Sequence, residues 1–232
     1  MAYLLFLALL VSIGFVFQIS TSQKSKQQFA GLSFAIGMGF LSLGFLCELV
    51  LGFHLNADAA RLFYWSREMM ALAWFGHGVI LLSIAERKQA RWLTYALIFA
   101  TAVSFILVGG TRVTKAEDWF RPGTPIFAQI GDLLATNRPT RWGGWLLNGY
   151  GAISLIAEPI YLLVSKKKQG LLPSATLLLL GAVAYLAPIL WPPGAATPSF
   201  YLVEVSIPLL LYLGYLALPP FTPARKTKRR SK

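Results

Sequence analysis

The sequence predicts an all-α polytopic membrane bundle of about seven transmembrane helices, with the N-terminus outside and the C-terminus in the cytoplasm. Three observations predict it. The 232 residues are 56% hydrophobic and their mean hydropathy is +0.60, whereas soluble domains are about 45–50% apolar. The excess is gathered into long runs, and a helix needs about 20 such residues to cross a bilayer. The basic residues divide unevenly between alternate loops, as they do in polytopic proteins.

The first run covers residues 2–19. No Lys or Arg precedes it, so it lacks the basic leader of a secretory signal. It reads as a retained span, with a cleaved signal as the alternative. Further runs cover residues 29–53, 62–85, 92–110, 142–165, 171–191 and 200–218. Residues 219–232 form a basic tail, opened by Pro219, Pro220 and Pro223, which stop the last helix.

With the N-terminus outside, one side receives Lys24 and Lys26, then Arg87, Lys88 and Arg91, then Lys166 to Lys168, then the six basic residues of the tail. That is fourteen of the 21 Lys and Arg. The bias puts this side in the cytoplasm. Asp58, Glu117, Asp118 and Asp132 fall on the other side. Trp65, Trp142, Trp145 and Trp191 mark the outer edge and Trp92 the inner one, since Trp prefers the headgroup region. The net charge of +12 follows from these short loops and the tail. No aromatic-bearing basic face points to nucleic acid. Cys47, the one cysteine, excludes an intramolecular disulfide.

Two rows of small residues, Gly31/Ala35/Gly39 and Ala96/Ala100/Ser104, allow close helix approach. Pro159, Pro188 and Pro208 lie within spans and predict local kinks. The one long connection, residues 111–141, is external. Its segment PIFAQIGDLLA places Ile126, Phe127, Ile130, Leu133 and Leu134 on one face, after Thr124 as N-cap and Pro125 as first helical residue. A short amphipathic helix on the outer surface is expected there.

The candidate chemistry centres on residues 37–77, GMGFLSLGFLCELVLGFHLNADAARLFYWSREMMALAWFGH. Ionisable groups in hydrocarbon are costly unless paired or wetted, so they mark candidate functional sites. At 1.5 Å per residue, Glu48, Glu68 and Glu204 lie about 6–9 Å below the outer ends of the second, third and seventh spans. Arg67 sits beside Glu68, and the tight connection between the second and third spans makes a Glu48–Arg67 pair sterically easy. These groups form either an ion pair with interfacial carboxylates or an outward-open polar pocket. Arg67, Met70, Trp74 and His77 fall on one helical stripe. The candidate ligand-binding residues are therefore Glu48, Arg67, Glu68, Trp74, His77 and Glu204.

His77 is either a hydrogen-bonded packing residue or a proton acceptor. The only other histidine, His54, is at the far end of the preceding span, so the two do not bracket one haem. Gly151, Ser154, Glu158 and Tyr161 share a face of the fifth span, and Glu158 with the outer carboxylates could form a proton path. The last span has no Lys to carry retinal. There is no GxSxG, HExxH, P-loop or Asp-rich prenyl-diphosphate pattern. No catalytic residue, metal ligand or cofactor is assigned.

The stretches LSLGFLCELVLGF, ARLFYWSREMMALAW and ERKQARWLTYAL resemble the seven-transmembrane N-terminal sensor region of bacterial histidine kinases. The match rests on Cys47, Glu48 and Leu49 closing the second span, and on Phe63, Tyr64, Trp65 and Arg67 opening the third. The resemblance implies a bacterial cytoplasmic-membrane location. No kinase, cyclase or phosphatase domain follows, so it implies a stand-alone sensory module, or a scaffold subunit, acting through a membrane or cytoplasmic partner.

The expected function is a non-enzymatic membrane sensor or accessory subunit binding a small ligand or partner from outside, with membrane lipids as its surroundings. The alternatives are a proton or small-cation transporter, and an enzyme acting on a lipid through His77 and Glu158.

Overall fold

The structure, a computed structural model, describes residues 2–21, 28–53, 56–83, 87–111, 138–164, 172–187 and 198–217. The described residues are all-helical, without strands, and form seven helices. The first two are α1 (Ala2–Thr21) and α2 (Gln28–Phe53). The third is continuous in three parts: α3 (Ala57–Phe63), a π-helical stretch Tyr64–Ala71, and α4 (Leu72–Ser83). Then come α5 (Arg87–Gly109), α6 (Arg138–Val164), α7 (Leu172–Leu186) and α8 (Pro198–Leu216).

Each expected run coincides with a helix, but the ends move. The third helix starts five residues before the apolar run because Asn56 caps it. The Asn56 Oδ1 accepts from the backbone N–H groups of Asp58 and Ala59 at 2.9 and 3.0 Å, satisfying donors that a helix start leaves open. Polar residues also join at the beginnings of α5 and α6. Hydropathy marks apolar length, whereas a helix extends as far as its backbone bonds and caps carry it. Among the described residues, two helices, Ala30–Phe53 and Lys88–Gly109, are long and apolar enough to cross a membrane. The described helix of the sixth run is Leu172–Leu186. The helices α6 and α8 run through Pro159 and Pro208. The expected amphipathic helix, the tail, Pro188, His54 and Trp191 lie outside the described residues.

The core forms around α2 and α4. Phe34, Met38, Leu41 and Phe45 of α2 and Leu72, Phe75 and Val79 of α4 are buried. Phe15 of α1, Leu155 of α6, Leu178 of α7, and Ile207 and Leu211 of α8 close around them. Glycines set the tightest approach: a Cβ on Gly151 of α6 would lie 2.4 Å from the Leu72 carbonyl oxygen. A Cβ on Gly76 would lie 2.6 Å from the Gly151 carbonyl oxygen. The backbones of α4 and α6 therefore pack directly on one another.

By contrast, α5 sits at the periphery. Trp92, Tyr95, Phe99 and Ile106 are 66%, 58%, 71% and 71% exposed. Its inner edge is tied by polar contacts. Trp65 Nε1 donates to Ser104 at 3.0 Å, and Arg61 Nε donates to the Thr111 carbonyl at 3.0 Å.

Candidate functional site

The charged residues of the third helix meet the rest of the molecule at Arg67. One guanidinium nitrogen donates to Glu48 Oε2 of α2 at 2.5 Å. The other donates to Glu204 Oε1 of α8. All three side chains are buried, with Arg67 at 3%, Glu48 at 2% and Glu204 at 0% exposure. The guanidinium also lies against the rings of Phe45 and Phe63, 5.2 and 5.3 Å from their centroids, so apolar walls shield the charges and a cation–π contact adds to the pairing. From α7, the Tyr185 hydroxyl donates to the backbone carbonyl of Arg67. Three elements distant in sequence, α2, α7 and α8, thus converge on one residue.

Local structure explains how Arg67 reaches that point. A π-helix bonds i→i+5 and is wider than an α-helix, so it turns successive side chains by a smaller angle. The expected stripe of Arg67, Met70, Trp74 and His77 assumes α-helical spacing throughout, and the π stretch breaks it. Arg67 faces α2 and α8. Met70, Trp74 and His77 face α5 and α6 through Ser104, Thr101, Thr94 and Tyr150. Space for Arg67 comes from Gly44, where a Cβ would lie 2.7 Å from the Arg67 Cβ. Gly44 stands four residues before Glu48, hence on the same face of α2.

The junction is not charge-balanced. Two carboxylates face one guanidinium, and each carboxylate uses a single oxygen in the ion pair. Glu48 Oε1 and Glu204 Oε2 are buried without a hydrogen-bond partner. Glu68, half-buried on the same turn, adds negative charge to the field of Arg67 and Glu204.

The second polar group lies between α4, α5 and α6. His77 is fully buried. Its Nδ1 is 2.8 Å from the Tyr150 hydroxyl and its Nε2 is 2.9 Å from Thr94 Oγ1. Thr94 has one hydroxyl proton and donates it to the Ala90 carbonyl at 2.8 Å. Its oxygen therefore accepts from Nε2–H. Both ring nitrogens are thus partnered. Trp74 Nε1 similarly donates to Thr101 Oγ1 at 3.1 Å, whose own proton goes to the Leu97 carbonyl at 2.8 Å. His77 and Trp74 thus form a cross-helix lock, separate from the Arg67 junction.

Glu158 is half-buried on α6, about 12 Å beyond Tyr150 along the helix axis. The carboxylates bonded to Arg67 come from α2 and α8, and the described partners of His77 are Tyr150 and Thr94. Among the described residues, no group of three or more His, Cys, Asp or Glu is placed to hold a metal ion.

The sequence singled out Glu48, Arg67, Glu68 and Glu204 by their common depth; the fold joins Glu48, Arg67 and Glu204 in ion pairs, with Glu68 half-buried at the neighbouring position. Sequence reasoning missed Gly44, legible in principle as a small residue one turn from a buried charge, and Tyr185, for which the sequence carries no signal. Compared with protein-family models, with curated proteins and with solved structures, the chain matches none.

Proposed function

We propose that the chain is a seven-span integral membrane protein of the bacterial cytoplasmic membrane, N-terminus outside, acting as a non-enzymatic sensor or accessory subunit. The membrane setting is supported by the exposed apolar surface. Phe6, Leu10 and Phe17 on α1, Phe99 and Ile106 on α5, and Ile153 and Val164 on α6 are all half or more exposed. A water-soluble monomer rarely carries apolar surface on that scale, while lipid is its natural solvent. The resemblance to sensor regions of histidine kinases supports the same reading.

The observation that carries the sensory role is the sharing of Arg67 between Glu48 and Glu204. A buried guanidinium that bonds carboxylates on two separate helices at once couples the positions of α2 and α8, so weakening either bond would let those helices shift. A ligand or partner that favours one pairing shifts the packing of α2, the π stretch and α8, by no more than its differential affinity for the two states. Because the junction is closed, an organic ligand reaches it only when helices part. The signal then passes to a partner in the membrane or the cytoplasm, with the basic tail attracted to the anionic inner leaflet.

The test uses full-length protein in nanodiscs, spin-labelled at Leu46 of α2 and Leu202 of α8, which are both exposed. Pulsed distance measurements on the wild type and on Glu204→Gln are expected to give different distributions. One identical narrow distance in both discards the switch. The excess carboxylate also favours a second reading, proton or small-cation transport with Glu158 as the inner station. It requires flux in proteoliposomes that Glu48→Gln with Glu158→Gln abolishes, and it fails if that flux survives the double substitution.

A further inference from the structure

The Arg67 junction holds more negative charge than Arg67 can balance, and the excess has a defined location. Glu48 Oε1 and Glu204 Oε2 are each buried without a partner, on side chains 2% and 0% exposed. Both carboxylates are anchored to neighbouring nitrogens of the same guanidinium, so they approach one another as closely as that group permits. A buried charge persists only when paired, and two buried orphan acceptors on carboxylates that share one guanidinium call for a further positive charge at the junction.

We propose that Glu48 and Glu204 together bind one small monovalent cation, a proton or a sodium-sized ion, which completes the Arg67 junction. One positive charge makes the set of two carboxylates and one guanidinium neutral and gives both orphan oxygens a partner. A divalent ion lacks a ligand set, since no group of three or more His, Cys, Asp or Glu is placed to hold a metal ion among the described residues. An organic cation does not fit a junction whose three side chains are at most 3% exposed. Water satisfies the oxygens but leaves the charge.

The other groups around the junction are named by the elements packed there. Glu68 shares the π turn with Arg67. Tyr185 reaches in from α7 and Tyr201 from α8. Arg141 of α6 acts electrostatically on Tyr64 of the same turn. The bound cation rests on the same junction as the proposed function but not on its sensory role.

The experiment melts full-length protein in nanodiscs of zwitterionic lipid at fixed ionic strength, from mildly acidic to mildly alkaline pH. Sodium chloride is compared with N-methylglucamine chloride. The wild type is expected to gain melting temperature on acidification or on addition of sodium, since a species bound only by the folded state stabilises it. Glu48→Gln and Glu204→Gln, each removing one charge, are expected to lose that shift, while Asp58→Asn, at the exposed start of α3, keeps it. A pH response identical in both salts identifies the proton. A sodium response that weakens on acidification identifies the metal ion. A wild type that responds no more than Glu48→Gln overturns the proposal.

Should the variants fail to fold, the wild type alone decides. Infrared difference spectra are expected to show the C=O stretch of a protonated carboxyl, or sodium NMR to show line broadening displaced by acid. The lack of both overturns the site. A cation response with unchanged distances between α2 and α8 removes the sensor and leaves the site. Changing distances without a cation response do the reverse.

Discussion

Arg67 holds two carboxylates, so the three members of the junction are not equivalent under substitution. Arg67→Ala leaves two like charges buried without a counter-charge, and removing one partner of a buried pair typically costs about 3–5 kcal/mol. Glu48→Gln or Glu204→Gln instead leaves a matched pair, and the amide adds donors close to the orphan oxygens. Their expected cost is a small fraction of the Arg67→Ala loss, read by denaturation in detergent. Equal losses in all three would show that charge balance does not govern the junction. Arg67→Lys is expected to behave like Arg67→Ala, because one ammonium lacks the fork that addresses two carboxylates at once. Gly44→Ala tests the packing that admits Arg67. Its methyl group would come 2.7 Å from the Arg67 Cβ, backed by a second helix, and overpacking of this kind costs about 1–3 kcal/mol. A variant as stable as the wild type would mean that α2 shifts freely there.

At the scale of the element, the sequence is legible wherever a single periodicity holds. The helix count emerged from apolar runs, and the depth of Glu48, Arg67 and Glu204 from counting along them. Neither step shows which way side chains face across the π stretch. Nothing in YWSREMMA departs from α-helical composition, so the sequence does not announce the widened turn, within which Arg67 bonds Glu48 and Glu204 and accepts from Tyr185. That turn sends Arg67 to one side and Trp74 and His77 to the other, and a stripe drawn at 3.6 residues per turn could not show that division. The lock between α4 and α6 was equally hidden, because Gly76 and Gly151 look like ordinary membrane glycines until their backbones are seen to touch. Gly151→Ala would place a methyl 2.4 Å from the Leu72 carbonyl oxygen, and backbone cannot yield as a side-chain tip does. The expected result is a loss of at least about 1–3 kcal/mol, with the Tyr150–His77 bond displaced one turn away. Gly149→Ala, on the same helix but with open space at its Cβ, is the control and is expected to be neutral in the same melting assay.

At the scale of the whole molecule, the distribution of apolar surface distinguishes a bundle in lipid from one in water. The fold places α2 at the centre and α5 outside, yet both pass the test of length and hydropathy for crossing a membrane. An apolar helix buried in a core has an explanation in any solvent; one displayed at the rim has an explanation only in lipid or under a partner. The exposed face of α5 therefore bears most directly on the setting. Phe99 lies near the middle of Arg87–Gly109 and is 71% exposed, while Trp92 lies near its start and is 66% exposed. In water, Phe99→Lys and Trp92→Lys should be equally harmless, since each trades an exposed ring for a solvated charge. In a bilayer they differ. A lysine at the centre of a span costs about 2.5–3.5 kcal/mol on insertion, whereas one near the end extends its ammonium to the interface. Insertion of α5 into microsomes, read by glycosylation of flanking acceptor sites, is expected to fall sharply for Phe99→Lys and to stay near the wild-type level for Trp92→Lys. Equal insertion of the two variants, or recovery of Phe99→Lys protein from the membrane-free fraction at undiminished yield, would remove α5 from the bilayer and with it the seven-span arrangement.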